Sequence, residues 1–183
     1  MEVYPFALRR ASNMAKAKKT VNYEKAWYAL AAARVMVGFV FLWAFLDKTM
    51  GLGFATKHGQ AWLDGVSPTM GFLKFGVNAK GPFVDFFHSL AGNVFVDWLF
   101  MLGLLGIGMA LILGIGLRVA AVAGTTLLVM MWAAELPLAN NPVVDEHLVY
   151  ATMLWVFAFG PRKWSLIDTW LQTPAAKNNP WLW

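Results

Sequence analysis

The chain has 183 residues, 59% hydrophobic and 14% charged, and its mean hydropathy of +0.55 lies outside the range of soluble globular domains. It contains no cysteine, which excludes disulfides, thiol relays, thiolate-held iron–sulfur clusters and haem attached through cysteine. A net charge of +5 in so apolar a chain reports orientation and contact with anionic lipid rather than nucleic-acid binding.

In chain order, residues 1–25 read as a basic cytoplasmic tail. They carry Arg9, Arg10, Lys16, Lys18 and Lys19, but neither the apolar core nor the small-residue cleavage site of a signal peptide. No apolar run follows Arg9 and Arg10 before Ala26, as a twin-arginine export signal needs. A spanning helix takes about 20 mostly apolar residues, and four windows approach that length. The first runs from Ala26 to Met50, holds Arg34 and closes on Asp47 and Lys48. The second runs from Val94 to Leu117 and is uncharged after Asp97. Arg118 separates it from the third, Val119 to Leu138, which has Glu135 near its end. The fourth is uncharged only from Leu148 to Gly160, so a span there draws Asp145, Glu146 and His147 into its first turns. Residues 162–183 read as a second cytoplasmic tail. The predicted fold is all-α, an integral membrane four-helix bundle over 26–161 with both termini in the cytoplasm of the cell.

The positive-inside rule gives that orientation. With the N-terminus inside, ten Lys and Arg residues fall on the cytoplasmic side, against Lys48, Lys57, Lys74 and Lys80 outside. The acids concentrate outside: Asp47, Asp64, Asp85, Asp97, Glu135, Asp145 and Glu146. Of these, Asp47, Asp97, Glu135 and Glu146 sit at or within helix ends, where desolvation is expensive. The connection 51–93 is rich in Gly and aromatic residues, too apolar for a solvated loop, and is predicted to form a lid on the outer face. The second and third helices are joined around Gly114 to Arg118 as an antiparallel hairpin. Gly106, Ala110 and Gly114, four residues apart, mark a face where a neighbouring backbone is expected to approach closely.

Arg34 cannot shed its charge, so it either snorkels to lipid phosphates or pairs inside the bundle. The third helix ends in Trp132 and Glu135, and a turn with two prolines, Asn140 and Asn141 returns the chain to Asp145, Glu146, His147 and Tyr150. On a helix, Glu146 and His147 each share a face with Tyr150. A carboxylate, an imidazole and a phenol at an apolar boundary exchange protons and hydrogen-bond a carbonyl oxygen, as a quinone headgroup requires. Capping of the helix N-terminus is the alternative role for Asp145 and Glu146, but it does not account for Glu135 at a helix C-terminus. The candidate catalytic residues are therefore Glu135, Glu146 and His147. Asp47, Asp97, Trp132, Tyr150 and Arg34 are the candidate cofactor-binding residues, with quinone as the cofactor. One histidine without a fixed ligand spacing does not make a metal site, and none is predicted.

These residues resemble the DoxX and DoxD membrane-protein family, the latter named for the small membrane subunit of thiosulfate:quinone oxidoreductase. The resembling text is Ala33-Arg34-Val35 with Gly38, Phe41-Leu42-Trp43-Ala44, Asp47-Lys48, Gly51-Leu52-Gly53-Phe54-Ala55, Ala61-Trp62-Leu63 and Gly71-Phe72-Leu73. It continues through Gly92-Asn93, Val96-Asp97-Trp98 and Asn140-Asn141-Pro142 to Asp145-Glu146-His147 and Tyr150. Phe45 stands where the pattern has Gly, and Glu146 where it has Asp. The resemblance implies a four-helix membrane bundle and a membrane subunit of a respiratory oxidoreductase that binds quinone near the outer leaflet. It also implies thiosulfate or another sulfur compound as electron donor, and a second protein subunit that oxidises it. The alternative is a structural or assembly subunit of a larger membrane complex. A small transporter is a third reading, without the inverted repeat that such proteins show. Membrane lipids and a second subunit are the expected partners, and nucleic acid is not; the oligomeric state stays open.

Overall fold

The computed structural model describes residues 23–179 and is helical, with no strand among the described residues. Of the expected N-terminal tail, Arg9, Arg10, Lys16, Lys18 and Lys19 lie outside the described residues. Helix α1 spans Glu24–Met50. The connection after it holds a 3₁₀ turn at Trp62–Asp64, a π-helical turn at Phe72–Gly76 and the short helix α2, Val84–Leu90. Helices α3, Val94–Leu113, α4, Leu117–Glu135, and α5, Glu146–Phe159, follow, and α6, Ile167–Leu171, and α7, Pro174–Asn178, end the described chain.

Three helices, α1, α3 and α4, are long and apolar enough to cross a membrane, which marks the chain as a membrane protein. Their outward residues include Met36, Phe39, Leu99, Leu102 and Val122, an apolar coat with no cost against lipid. Helix α5 is also apolar but has 14 residues, about 21 Å at 1.5 Å per residue. It begins where the acids begin: Asp145 is its N-cap, accepting from the backbone N–H groups of His147 and Leu148, and Glu146 opens its first turn.

Backbone chemistry sets the helix ends. Helix α1 stops at Gly51 (φ 63°), whose N–H donates to the Asp47 carbonyl. Helix α3 stops at Leu113 because Gly114 (φ 72°) turns left-handed, and Gly116 (φ 61°) does so again before α4 starts. Left-handed backbone costs glycine little, so two such residues reverse the chain in minimal length. The hairpin expected around residues 114–118 is present, with its helix boundaries a few residues earlier than the hydropathy windows place them.

Helix α1 packs on α3, α3 on α4, α4 on α5, and α5 touches α1. The core they share includes Val37, Phe41, Met101, Ile107, Leu128 and Leu154. Helices α1 and α3 approach each other closely at Gly38 and Gly108. A Cβ built on Gly108 would lie 2.8 Å from the Leu42 nitrogen, and one on Gly38 would lie 3.0 Å from the Ile112 nitrogen. Gly106, expected at the close approach, is exposed with nothing within 4 Å of its Cβ position. The reason is geometric: two residues further on, the helix has turned by about 200°, so Gly106 faces away from α1.

Arg34 is only 3% exposed. Its guanidinium donates to the Leu111 carbonyl in the last turn of α3 and to the carbonyls of Lys163 (3.0 Å) and Trp164 (2.7 Å). Of the two fates expected for it, it takes the interior one, with backbone carbonyls rather than a carboxylate as partners. Leu166 N–H adds a 2.9 Å bond to the Leu113 carbonyl, so the segment after α5 is fastened beneath the α3–α4 turn.

Candidate functional site

The long connection is held to the helices by two of the expected acids. Asp47, 1% exposed, accepts from the backbone N–H of Thr56 at 2.7 Å and of Phe54 at 3.4 Å. Asp97 accepts on Oδ1 from the Ser67 hydroxyl (2.8 Å), the Thr69 hydroxyl (2.5 Å) and the Thr69 N–H (3.3 Å). Both carboxylates are thus occupied by the chain's own donors, an arrangement that lowers the cost of burying them. The rings of Trp62 and Trp98 meet in a T-shaped arrangement with their centroids 4.6 Å apart. The far part of the connection packs Leu73, Val77 and Phe87 against Ala134 of α4, and Asn78 donates to the carbonyls of Glu135 and Pro137.

Glu135 and His147 come together at the corner between α4 and α5. The intervening loop is shaped by Asn141, whose side-chain oxygen accepts from the N–H groups of Val143 and Val144, and by Trp132, which donates through Nε1 to the Val143 carbonyl at 2.9 Å. This returns the chain so that ligand-type atoms of Glu135, Asp145 and His147 all lie within 4.8 Å of one another. His147 Nδ1 meets Asp145 Oδ2 at 2.8 Å. Burial pushes the Asp145 carboxyl up, but the His147 hydrogen bond, the backbone N–H bonds and the imidazole's charge outweigh it and hold the group below the usual carboxylate range. Glu146 is exposed beside this group and is not among the three. Tyr150, one turn on, packs against the main core.

A cavity of about 380 Å³ lies between α3, α4 and the connection. Helix α3 contributes Val96, Leu99, Phe100, Gly103 and Ile107, helix α4 contributes Ala123, Thr126, Leu127, Met130 and Met131, and the connection covers it from Pro68 to Leu90. Lys48 is the one charged residue in this lining. It forms no ion pair among the described residues, and its ammonium sits 5.9 Å from the centre of the Phe100 ring. None of Arg34, Asp47, Asp97, Trp132, Glu135, Glu146, His147 and Tyr150 lines the cavity.

Two residues thus enter that sequence reasoning left aside. Asp145 carries an N-cap signature, an acid just before an apolar helical run, but in sequence it is indistinguishable from Glu146 beside it. Lys48 reads as half of an interfacial pair with Asp47. In the fold Asp47 turns to the connection's backbone, and Lys48 is left facing the cavity. Compared with family models, curated proteins and solved structures, the chain shows no match.

Proposed function

We propose that this chain is a quinone-binding membrane subunit of a respiratory oxidoreductase, in line with its resemblance to DoxX and DoxD proteins. In this reading α1, α3, α4 and α5 form a four-helix transmembrane bundle with cytoplasmic termini, and the connection 51–93 is the lid over its outer face. The cavity beneath that lid is the observation that carries the proposal. Its volume falls within the usual range for small-molecule sites, about 300–1,000 Å³, and its apolar walls suit a ring with a hydrocarbon tail. Lys48 supplies a donor for a carbonyl oxygen at one end. A bound quinone would supply two-electron redox chemistry that this cysteine-free chain lacks. Lys48 is the residue that would orient its headgroup, in preference to Glu135, Glu146 and His147, which lie outside the lining; both donors of Thr69 are already engaged by Asp97. A second subunit would oxidise the donor, thiosulfate or another sulfur compound.

The test is quinone content of the complex purified from its native membranes in mild detergent. Stoichiometric quinone is expected in the parent, reduced roughly tenfold in Lys48→Met, which removes the donor worth about 1.5 kcal/mol. Gly103→Leu should also lose it, because a Cβ at Gly103 meets nothing within 4 Å and the added side chain fills cavity rather than backbone. Retention of quinone by both variants would overturn the assignment. The exposed Leu63 and Phe75 on the connection favour the other reading, a structural subunit with this face docked on a partner. In that case a partner co-purifies, quinone does not, and Leu63→Ser with Phe75→Ser releases the partner.

A further inference from the structure

The corner between α4 and α5 gathers charge that the protein's own cations do not balance. Glu135 and Asp145 each bring a carboxylate oxygen within 4.8 Å of the other and of a ring nitrogen of His147. Among the described residues neither acid pairs with Lys or Arg. The Glu135 carboxylate accepts no hydrogen bond among them either; the 3.3 Å bond from Asn78 goes to its backbone carbonyl. Its place in the last turn of α4 sets it against the negative end of the helix dipole. His147 is 8% exposed, and with Nδ1 on Asp145 its Nε2 has no hydrogen-bond partner among the described residues. Even a protonated imidazole offers one positive charge against two negative ones.

We propose that Glu135, Asp145 and His147 bind one divalent transition-metal ion. One imidazole nitrogen with two carboxylates is a donor set for zinc, manganese or iron(II), whereas calcium and magnesium take oxygen ligands. Metal–ligand bonds of about 2.0–2.2 Å place adjacent ligand atoms roughly 3 Å apart, close to the 2.8 Å between His147 Nδ1 and Asp145 Oδ2. Glu135 has the side-chain freedom to close the remaining gap, while Trp132 and Asn141 hold the loop's backbone in place. Three protein ligands leave a position for water or substrate, as open metal sites do. The ion would join the last turn of α4 to the first turn of α5, separately from the cavity at Lys48.

Zinc is the test ion, titrated by calorimetry into the full chain in detergent after chelator treatment. The exposed His58 and His88 are first replaced by Ala so that they do not report. One equivalent should bind and raise the unfolding temperature. Glu135→Gln and His147→Ala should each weaken binding roughly tenfold or more, while Glu146→Gln, altering an exposed neighbour, should leave it unchanged. Because the Glu135 carboxylate makes no bond in the metal-free fold, Glu135→Gln should unfold at or above the parent's temperature without zinc, which separates loss of a ligand from loss of structure. Failure of the parent to bind one equivalent, or equal zinc affinity in Glu135→Gln, would overturn the proposal.

Discussion

Arg34, Asp47 and Asp97 lie buried in different parts of the molecule, and none of them forms an ion pair among the described residues. Each holds backbone groups, with two hydroxyls added at Asp97. The geometry of the charged group then matters as much as its sign. A lysine in place of Arg34 keeps the charge but presents its donors from one nitrogen, and cannot span carbonyls on α3 and on the segment after α5. Arg34→Lys is expected to leave at least one carbonyl unsatisfied and to lower stability in detergent by about 1–3 kcal/mol, with Arg34→Met worse; thermal unfolding checks the order. Asp97→Asn keeps an acceptor oxygen for Ser67 and Thr69, whereas Asp97→Ala keeps none. The alanine variant should therefore open the connection to protease while the asparagine variant resists, and equal cutting of the two would show that Asp97 does not anchor it. That Asp47 and Asp97 sit at helix ends is legible in the sequence; whether Arg34, well inside α1, turns inward is not. The partners of all three are not legible either, because the bonds reach 7 to 130 residues along the chain with no periodic signal to mark them.

At the scale of helices, the long elements are legible because 19 to 27 residues of apolar chain have few ways to satisfy their backbone in a bilayer other than helix formation. Helix rotation is less legible. A four-residue stripe of small residues identifies a face suited to close packing, but which face meets a neighbour depends on loops and on the rest of the core. This is why Gly108, and not Gly106, touches α1. Gly108→Leu is accordingly expected to force α1 and α3 apart and to cost at least 2–3 kcal/mol, and Gly106→Leu to change stability by less than about 0.5 kcal/mol; a chemical denaturation series on the two variants tests the contrast. The same limit applies to the α4–α5 corner. The sequence places Glu135, Glu146 and His147 near one another, but only the backbone path set by Trp132 and Asn141 brings Asp145 inward and leaves Glu146 exposed.

Across the whole molecule, the connection, the cavity, the α4–α5 corner and the end of α1 share one end, while Arg34, the α3–α4 turn and the segment after α5 share the other. If α1, α3, α4 and α5 all cross the bilayer, Ser89 and Asn141 face one compartment and Asn178 the opposite one. The chain has no cysteine, so single cysteines at these positions can be labelled without background. In intact cells an impermeant maleimide is expected to modify Ser89→Cys and Asn141→Cys but not Asn178→Cys until the membrane is permeabilised; labelling of all three from outside would rule out the topology. The Arg34 joint also bears on biosynthesis. Its three acceptor carbonyls lie 77, 129 and 130 residues further along the chain, and at 5–20 residues per second the last of them emerge on the order of ten seconds after Arg34 does. The first helix therefore has to wait for its partners with an unpaired cation, which costs roughly 2.5–3.5 kcal/mol at a helix centre. Its final seating is expected only once the chain beyond α5 has left the ribosome, so ribosome-arrested chains ending before residue 160 should retain α1 next to the insertion machinery in site-specific crosslinking, and Arg34→Leu should release it early.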